Sequence, residues 1–254
     1  MNKKVYLFSY EVPHVKTIDL AKKLIFKGYS VTVMGFPFKR KFKNKIETFE
    51  ERPHQLLEGD LYSTCKEIGA DLIKISSWEM NDTLNSLPKN TNDTIYITCI
   101  SKIIPKEIID GRIILNAHPG LLPENRGLDA FKWSIIKAMG VGVTVHAINH
   151  EIDAGIILAR VRTPILEGDT LFDVAARNYQ LENFMLENFE LYIDNLHSKT
   201  KVDVDKYSLS KNLIANIDLE NINNIFIDQK KNLIKISKLK VISLVDYEFE
   251  TFFN

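Results

Sequence analysis

Residues 116–123 read Asn-Ala-His-Pro-Gly-Leu-Leu-Pro, and Glu124-Asn125-Arg126-Gly127 follow. Asn116 and His118 are two positions apart, so an extended chain sends both side chains to one side. Asp153 comes later, within His150-Glu151-Ile152-Asp153-Ala154-Gly155. An amide can donate a hydrogen bond to a developing negative charge. An imidazole can take or give a proton, and a carboxylate can orient that imidazole. Chemistry follows only if the chain brings Asp153 back to the other two.

The surrounding elements are arranged to do that. Val5-Tyr6-Leu7-Phe8 is a continuous apolar run, as in a strand buried on both faces. Val15, Ile18, Ala21 and Ile25 then recur at helical spacing, with Gly28 as a stop. Val31, Val33 and Met34 form a second strand. A helix over Leu61 to Ile68 leads to Leu72, Ile73 and Ile75, and Ile95–Ile100 and Ile113–Leu115 add two strands. Strands alternating with helices imply an α/β fold, a Rossmann-like, mostly parallel sheet with helices on both faces. In such a sheet, ligands bind outside the carboxyl ends of the strands, which is where Asn116 and His118 fall. Residues 142–147, GVTVHA, alternate strictly and read as a half-exposed strand, and Ile156 to Val161 continues the sheet. The segment carrying Asp153 joins these two strands, so its loop can return the carboxylate to the same strand ends. Thr170 and Asp173 make a capping box for a helix with Val174, Leu181, Met185, Phe189 and Tyr192 on one stripe.

The 254 residues suit a catalytic domain over 1–198 and a small appendage over 199–254. In the latter, Ile225-Phe226-Ile227, Asp228–Asn232 and Leu233-Ile234 read as strand, turn, strand, with Val241–Val245 and Tyr247–Phe253 as further strand. Its apolar content, on a tail too small for its own core, predicts a β-rich element that joins two subunits into a homodimer. Lys plus Arg and Asp plus Glu both number 33. That balance offers no basic field for nucleic acid. Cys65 and Cys99 form no zinc-like pair and fit a reducing compartment. The opening MNKKVYLFSYEVPH is interrupted by Glu11 and Pro13. It reads as a buried strand rather than a signal peptide or membrane span, which makes a cytoplasmic enzyme the expectation.

The NAHPGLLP run, the GVTVH strand, Asp153 to Gly155 and the Gly168-Asp169-Thr170 helix start resemble the folate-dependent formyltransferase family. That family includes enzymes acting on glycinamide ribonucleotide, methionyl-tRNA and amino sugars. The resemblance is strong over about residues 95–190 and holds only in overall pattern before that. It implies a catalytic trio of Asn116, His118 and Asp153, with N10-formyltetrahydrofolate as formyl donor and no metal. An amine would attack the formyl carbon while Asn116 donates to the oxyanion. His118 would stabilise the same charge or take the amine proton. Asp153 would orient the imidazole, raise its basicity or position a relaying water. The resemblance further implies that backbone groups of Ser101, Lys102, Ile103 and Ile104, and of Asn149 to Asp153 including Ile152, hold the pterin.

The acceptor is narrowed by what the chain lacks. After the first strand, where resemblance to glycinamide ribonucleotide enzymes would imply a glycine-rich phosphate loop, this chain has Ser9-Tyr10-Glu11-Val12-Pro13-His14, without glycine. The tail 201–254 holds eight basic and eight acidic residues, a poor tRNA platform. The run NRGLDAFKWSI resembles the amino-sugar branch. The implied substrate is a dTDP- or UDP-linked amino-deoxysugar, used in lipopolysaccharide or another surface glycan, with Tyr10, Asn125, Arg126, Lys132 and Trp133 as candidate contacts. The Arg126 fork suits a diphosphate, although 128–139 equally reads as an ordinary amphipathic helix. The alternatives are a formyltransferase on another small amine, such as glycinamide ribonucleotide, and a non-catalytic nucleotide-sugar-binding module. His146 reads as a structural neighbour rather than a catalytic group. The five cations of residues 39–45 read as a solvated loop, with a phosphate contact as the functional alternative.

Overall fold

A computed structural model describes residues 3–38, 56–78, 87, 93–198, 209–210 and 219–239. The basic run 39–45 and the strand-like stretches of 241–253 lie outside the described residues.

Seven strands form one sheet: β1 (Lys4–Tyr10), β2 (Ser30–Phe36), β3 (Asp71–Lys74), β4 (Thr94–Thr98), β5 (Ile114–His118), β7 (Gly142–Ala147) and β8 (Ile156–Arg162). Their order is β3-β2-β1-β4-β5-β7-β8. The first five run parallel, and β7 and β8 are antiparallel to their neighbours. The apolar run of β1 is explained by burial on both faces. Val5 and Leu7 pack with Leu20 and Leu24 of α1 (Val15–Phe26) and with Leu181 and Met185 of α5 (Leu171–Glu187). Phe8 points the other way, into Phe36, Trp78, Tyr96 and Ile108. The expected capping box opens α5, with Thr170 and Asp173 bonding each other's backbone reciprocally. Helices α2 (Leu61–Ile68), α3 (Lys106–Ile109) and α4 (Ala130–Ile136) complete this part. A two-stranded pair, β6 (Arg126–Gly127) and β9 (Leu209–Ser210), runs parallel beside the sheet.

Two expectations are corrected. Strand β7 is not half-exposed, because all six of its residues are buried. Val143 and Val145 enter the main core, while Thr144 and His146 are covered by the loops that follow β5 and β7. The alternation separates two interiors, one apolar and one polar, rather than core from water. Residues 225–234 are not strand, turn, strand. They lie within a helix, α6 (Leu219–Ser237), whose span contains no glycine or proline. Ile222, Phe226 and Leu233 of α6 join Phe131, Ile135, Leu171 and Val174 in one buried cluster. Lys230 Nζ also donates to the Asp169 carbonyl at 2.6 Å. The helix is therefore packed onto the sheet-bearing part of the chain, where its apolar stripe is satisfied. Among the described residues no helix is long and apolar enough to cross a membrane.

Candidate active site

Strand β5 ends on the two residues that the sequence singled out. Asn116 and His118 project from one face, and antiparallel pairing sets them opposite His146 and Thr144 of β7. Residues opposite one another share a face, so two polar positions of β7 line the same side. The loop leaving β5 folds back over them. Thr144 Oγ1 donates to the Gly120 carbonyl at 2.8 Å and accepts from Leu122 N at 2.9 Å. Arg160 of β8 adds a bond to the Leu122 carbonyl at 2.6 Å. His118 ends up only 4% exposed, with Nε2 2.8 Å from the carbonyl oxygen of Asn125.

The connection between β7 and β8 returns Asp153 to this place. Asn149 holds the loop from within: its Nδ2 donates to the Ala154 carbonyl and its Oδ1 accepts from Glu151 N. Asp153 has a left-handed backbone, φ +47°, a sparsely populated conformation for a non-glycine residue. Gly155 is required by contact: a Cβ there would lie 1.8 Å from the Ala147 carbonyl oxygen. Strand β6 supports the loop from outside. Gly127 N donates to Asp153 Oδ2 at 3.0 Å, and Arg126 donates to the carbonyls of Ile152 at 2.6 Å and Asp153 at 3.2 Å. The other carboxylate oxygen, Oδ1, lies 3.5 Å from His118 Nδ1 and 3.8 Å from His146 Nε2. His146 Nε2 lies 3.2 Å from Asn116 Nδ2. Amide, two imidazoles and carboxylate thus share one face of the sheet, at the carboxyl end of β5.

A sequence profile of the family described as Formyl transferase matches residues 39–188, more than half of the chain. The chain belongs to the formyl transferase family. It is 37% identical over 95 residues to the dTDP-4-amino-4,6-dideoxyglucose formyltransferase of Mycobacterium tuberculosis, covering 37% of this chain and 41% of that protein. It is 32% identical over 143 residues to the methionyl-tRNA formyltransferase of Akkermansia muciniphila, covering 52% of this chain and 45% of the relative. Each match spans less than half of the relative's length. Among solved structures, an N-formyltransferase from Helicobacter canadensis, in complex with folinic acid and dTDP-3-aminofucose, superposes with a TM-score of 0.58. That pair is 18% identical, and the match covers 95% of this chain and 84% of the other. A sugar N-formyltransferase from a Shewanella species gives 0.55 at 21% identity, covering 88% and 87%. At those identities the likeness is one of fold.

The electrostatics of this site follow from burial. Desolvation pushes His146 down to about 4, with the Asp153 charge opposing and His118 adding to the fall. His146 is therefore a neutral imidazole near neutral pH. Burial alone would raise the Asp153 carboxyl. Electrostatic attraction to the His118 and His146 rings, the Gly127 N–H and Arg126 outweigh it and hold the group below its ordinary value. Asp153 is accordingly a carboxylate.

The remaining candidates separate into those at and beyond the ends of β1 and β4 and those turned inward. Tyr10 and Ser101 meet, hydroxyl to hydroxyl at 3.3 Å, which joins the end of β1 to the segment after β4. Lys102 is exposed, with Nζ 4.6 Å over the Trp78 ring. Ile103 is exposed and Ile104 is buried in the core. Asn149 is engaged within its loop, and the Ile152 carbonyl is already bonded to Arg126. Asn125, considered for a diphosphate, is turned inward: Nδ2 donates to the Ala130 carbonyl and to Ser134 Oγ. Arg126 is buried and reaches for the Asp153 loop rather than for the surface. Lys132 Nζ lies 3.5 Å from Asp129 on the first turn of α4, and Trp133 carries the Lys137 ammonium 4.9 Å over its ring. The sequence reading set His146 aside and did not weigh Thr144 or Gly127. The usable signal was polar residues at alternate positions of β7, which antiparallel pairing lays beside Asn116 and His118.

Proposed function

We propose that this chain transfers a formyl group from N10-formyltetrahydrofolate to the primary amine of a nucleotide-linked amino-deoxysugar. The observation that carries the reading is the convergence of Asn116, His118 and Asp153 on one face. The amine nitrogen attacks the formyl carbon, and the carbonyl oxygen gathers negative charge. Asn116 has a second amide N–H beyond the one directed at His146, and donates it to that oxygen. His118 takes the proton that the amine must lose, and Asp153 stabilises the imidazolium that results. Breaking the bond from the formyl carbon to N10 returns the proton to N10 and releases tetrahydrofolate. Ser101 to Ile104 and the 149–153 loop form the folate side.

A sugar acceptor is supported by the start of α1. A glycine-rich phosphate cradle would have to open there, yet His14 is buried, its Nδ1 against Thr17. Lys16 is buried too and bonds Glu182 at 2.8 Å. This helix start is filled by its own side chains. The dTDP-sugar names of the relatives support the same acceptor class. A nucleotide-linked sugar is an activated glycosyl donor, so its formylated product suits surface-glycan assembly. The test is a mass-spectrometric screen of dTDP- and UDP-amino sugars, beside glycinamide ribonucleotide, for gain of one formyl group with release of tetrahydrofolate. Turnover of glycinamide ribonucleotide alone would overturn the sugar assignment. Binding of both ligands without turnover of any amine would overturn the enzyme assignment.

A further inference from the structure

We infer that the backbone carbonyl of Asn125 locks the tautomer of His118, so that Nε2 keeps its proton throughout and only Nδ1 exchanges one. A carbonyl oxygen can accept but never donate. It lies 2.8 Å from Nε2, and both residues are 4% exposed. A bare Nε2 would set two lone pairs against each other with no water to separate them, the costly arrangement for buried polar groups. On the other side of the ring, Asp153 Oδ1 is 3.5 Å from Nδ1 and draws a proton there. In an ordinary carboxylate–imidazole pair that attraction places the proton of the neutral ring on the nitrogen facing the acid. Here the two acceptors compete for one proton, and the carbonyl is the closer. Both are satisfied together only in the imidazolium.

The carbonyl is held in place by three bonds from Asn125 itself. Its N–H donates to the Leu121 carbonyl at 2.9 Å. Its Nδ2 donates to the Ala130 carbonyl at 2.7 Å and to Ser134 Oγ at 2.8 Å. Gly120 leaves the space: a Cβ there would lie 3.0 Å from His118 Nε2 and 3.1 Å from the Asn125 oxygen. Asn125 is thus a positioning residue that acts through its main-chain oxygen.

The consequence for catalysis rests on the formyl-transfer reading; the tautomer itself does not. In the transfer, an amine N–H bond breaks as an Nδ1–H bond forms, and the ring becomes a cation beside Asp153. That proton then leaves Nδ1 for N10 as the bond from N10 to the formyl carbon breaks. Nε2–H is a spectator that fixes ring orientation.

The experiment is nitrogen NMR of the full chain carrying ¹⁵N-labelled histidine, with His118 assigned by its loss in His118→Gln. The neutral ring of His118 is expected to be protonated on Nε2 and bare on Nδ1. In Asn125→Ala the amide anchors are gone. The neutral ring is expected to shift towards Nδ1–H, and kcat to fall about tenfold, with KM for folate and acceptor within about twofold. Ser134→Ala removes one anchor and should move both readouts less, in the same direction; it replaces Asn125→Ala if that variant does not fold. A neutral His118 protonated on Nδ1 in the unmodified protein would overturn the lock. A changed tautomer with unchanged kcat would overturn its role in proton transfer. The NMR result stands whether or not any amine is formylated, so failure of the lock and failure of the functional reading can be told apart.

Discussion

The two halves of the sheet bury their residues for different reasons. In β2-β1-β4 both faces are mainly apolar, and Val5, Leu7, Phe8, Val33 and Met34 are essentially inaccessible to water. In β5-β7-β8 one face is equally apolar, but the other holds Asn116, His118, Thr144 and His146, close-packed and hydrogen-bonded. The first half obtains stability from apolar burial. The second carries desolvated polar groups, whose cost is offset where they meet partners, as at Asn116, His118 and Thr144, while His146 Nδ1 is buried without a hydrogen-bond partner among the described residues. On the proposed function, stability and chemistry are divided across one sheet, and substitutions should separate them.

The largest effects test that division directly. Asn116→Ala should lower turnover by about 10²–10³ while the thermal midpoint stays near that of the unmodified protein. Leu7→Ala, in the apolar half, should cost about 2–5 kcal/mol of stability, with kcat and KM preserved at a temperature where the variant is folded. Calorimetry and steady-state kinetics on both proteins give a two-by-two result. If Leu7→Ala loses turnover as deeply as Asn116→Ala, the halves are not functionally distinct.

A second test uses pH. His146 is held neutral in the folded protein down to about 4, whereas an unfolded chain takes up that proton near pH 6.5. Between those values the unfolded state binds more protons, so stability falls as the pH falls. The loss across the window reaches up to about 3 kcal/mol. Asp153, held below its ordinary value, adds a further loss under stronger acidity, with the same sign. Urea unfolding from about pH 7 to pH 4.5 should show the decline, and His146→Gln should flatten it. An unchanged slope in that variant would mean that the polar half does not set the acid sensitivity.

Legibility followed the same divide. The apolar strands, the helix stop at Gly28 and the capping box at Thr170 could be read locally, because each depends on residues a few positions apart. The trio of Asn116, His118 and Asp153 was legible through its motif, and the described geometry brings the three together. The place of His146 beside them was not, since it comes from the antiparallel register that sets it opposite Asn116. Arg126 and Asn125 were expected to face a ligand, because their donors suit phosphate. The Ala130 carbonyl of α4 and the Ile152 carbonyl of the β7–β8 connection accept from them instead. In α6, Ile-Phe-Ile followed by a polar run imitates a hairpin. The stripe of Ile222, Phe226 and Leu233, with no glycine or proline between, is the stronger pattern once α4 and α5 offer it a surface.

A smaller effect comes from a single hydroxyl. Thr144→Val keeps the shape of β7 and removes the partner of the Gly120 carbonyl and the Leu122 N–H, both inside the polar half. The cost should be about 1–3 kcal/mol. In the parallel half, Thr98→Val removes contacts of 3.3 and 3.4 Å to Ile100, so it should cost less. Chemical denaturation of the two variants side by side measures the difference. Equal losses would indicate that polar burial is no more demanding on one side of the sheet than on the other.

The smallest effect asks whether the halves open separately. Helix α5 lies against α1 on one side and against β5 and β7 on the other. It begins with a reciprocal cap, in which Asp173 N donates to Thr170 Oγ1 at 3.2 Å and Thr170 N donates to Asp173 at 2.7 Å. Thr170→Ala should weaken the helix by about 1 kcal/mol. No described contact joins Thr170 to Asn116, His118 or Asp153, so turnover should hold. If α5 couples the two halves, hydrogen-exchange protection of β1 and β7 amides should fall together, by the same amount. If the motif half opens independently of the apolar half, protection of β7 should drop while β1 is unchanged, because the two strands would belong to different cooperative units. The first outcome is expected, since Leu181 and Met185 of this helix share one buried cluster with Leu7 of β1 and Val143 of β7, and neither half can part from α5 without exposing it.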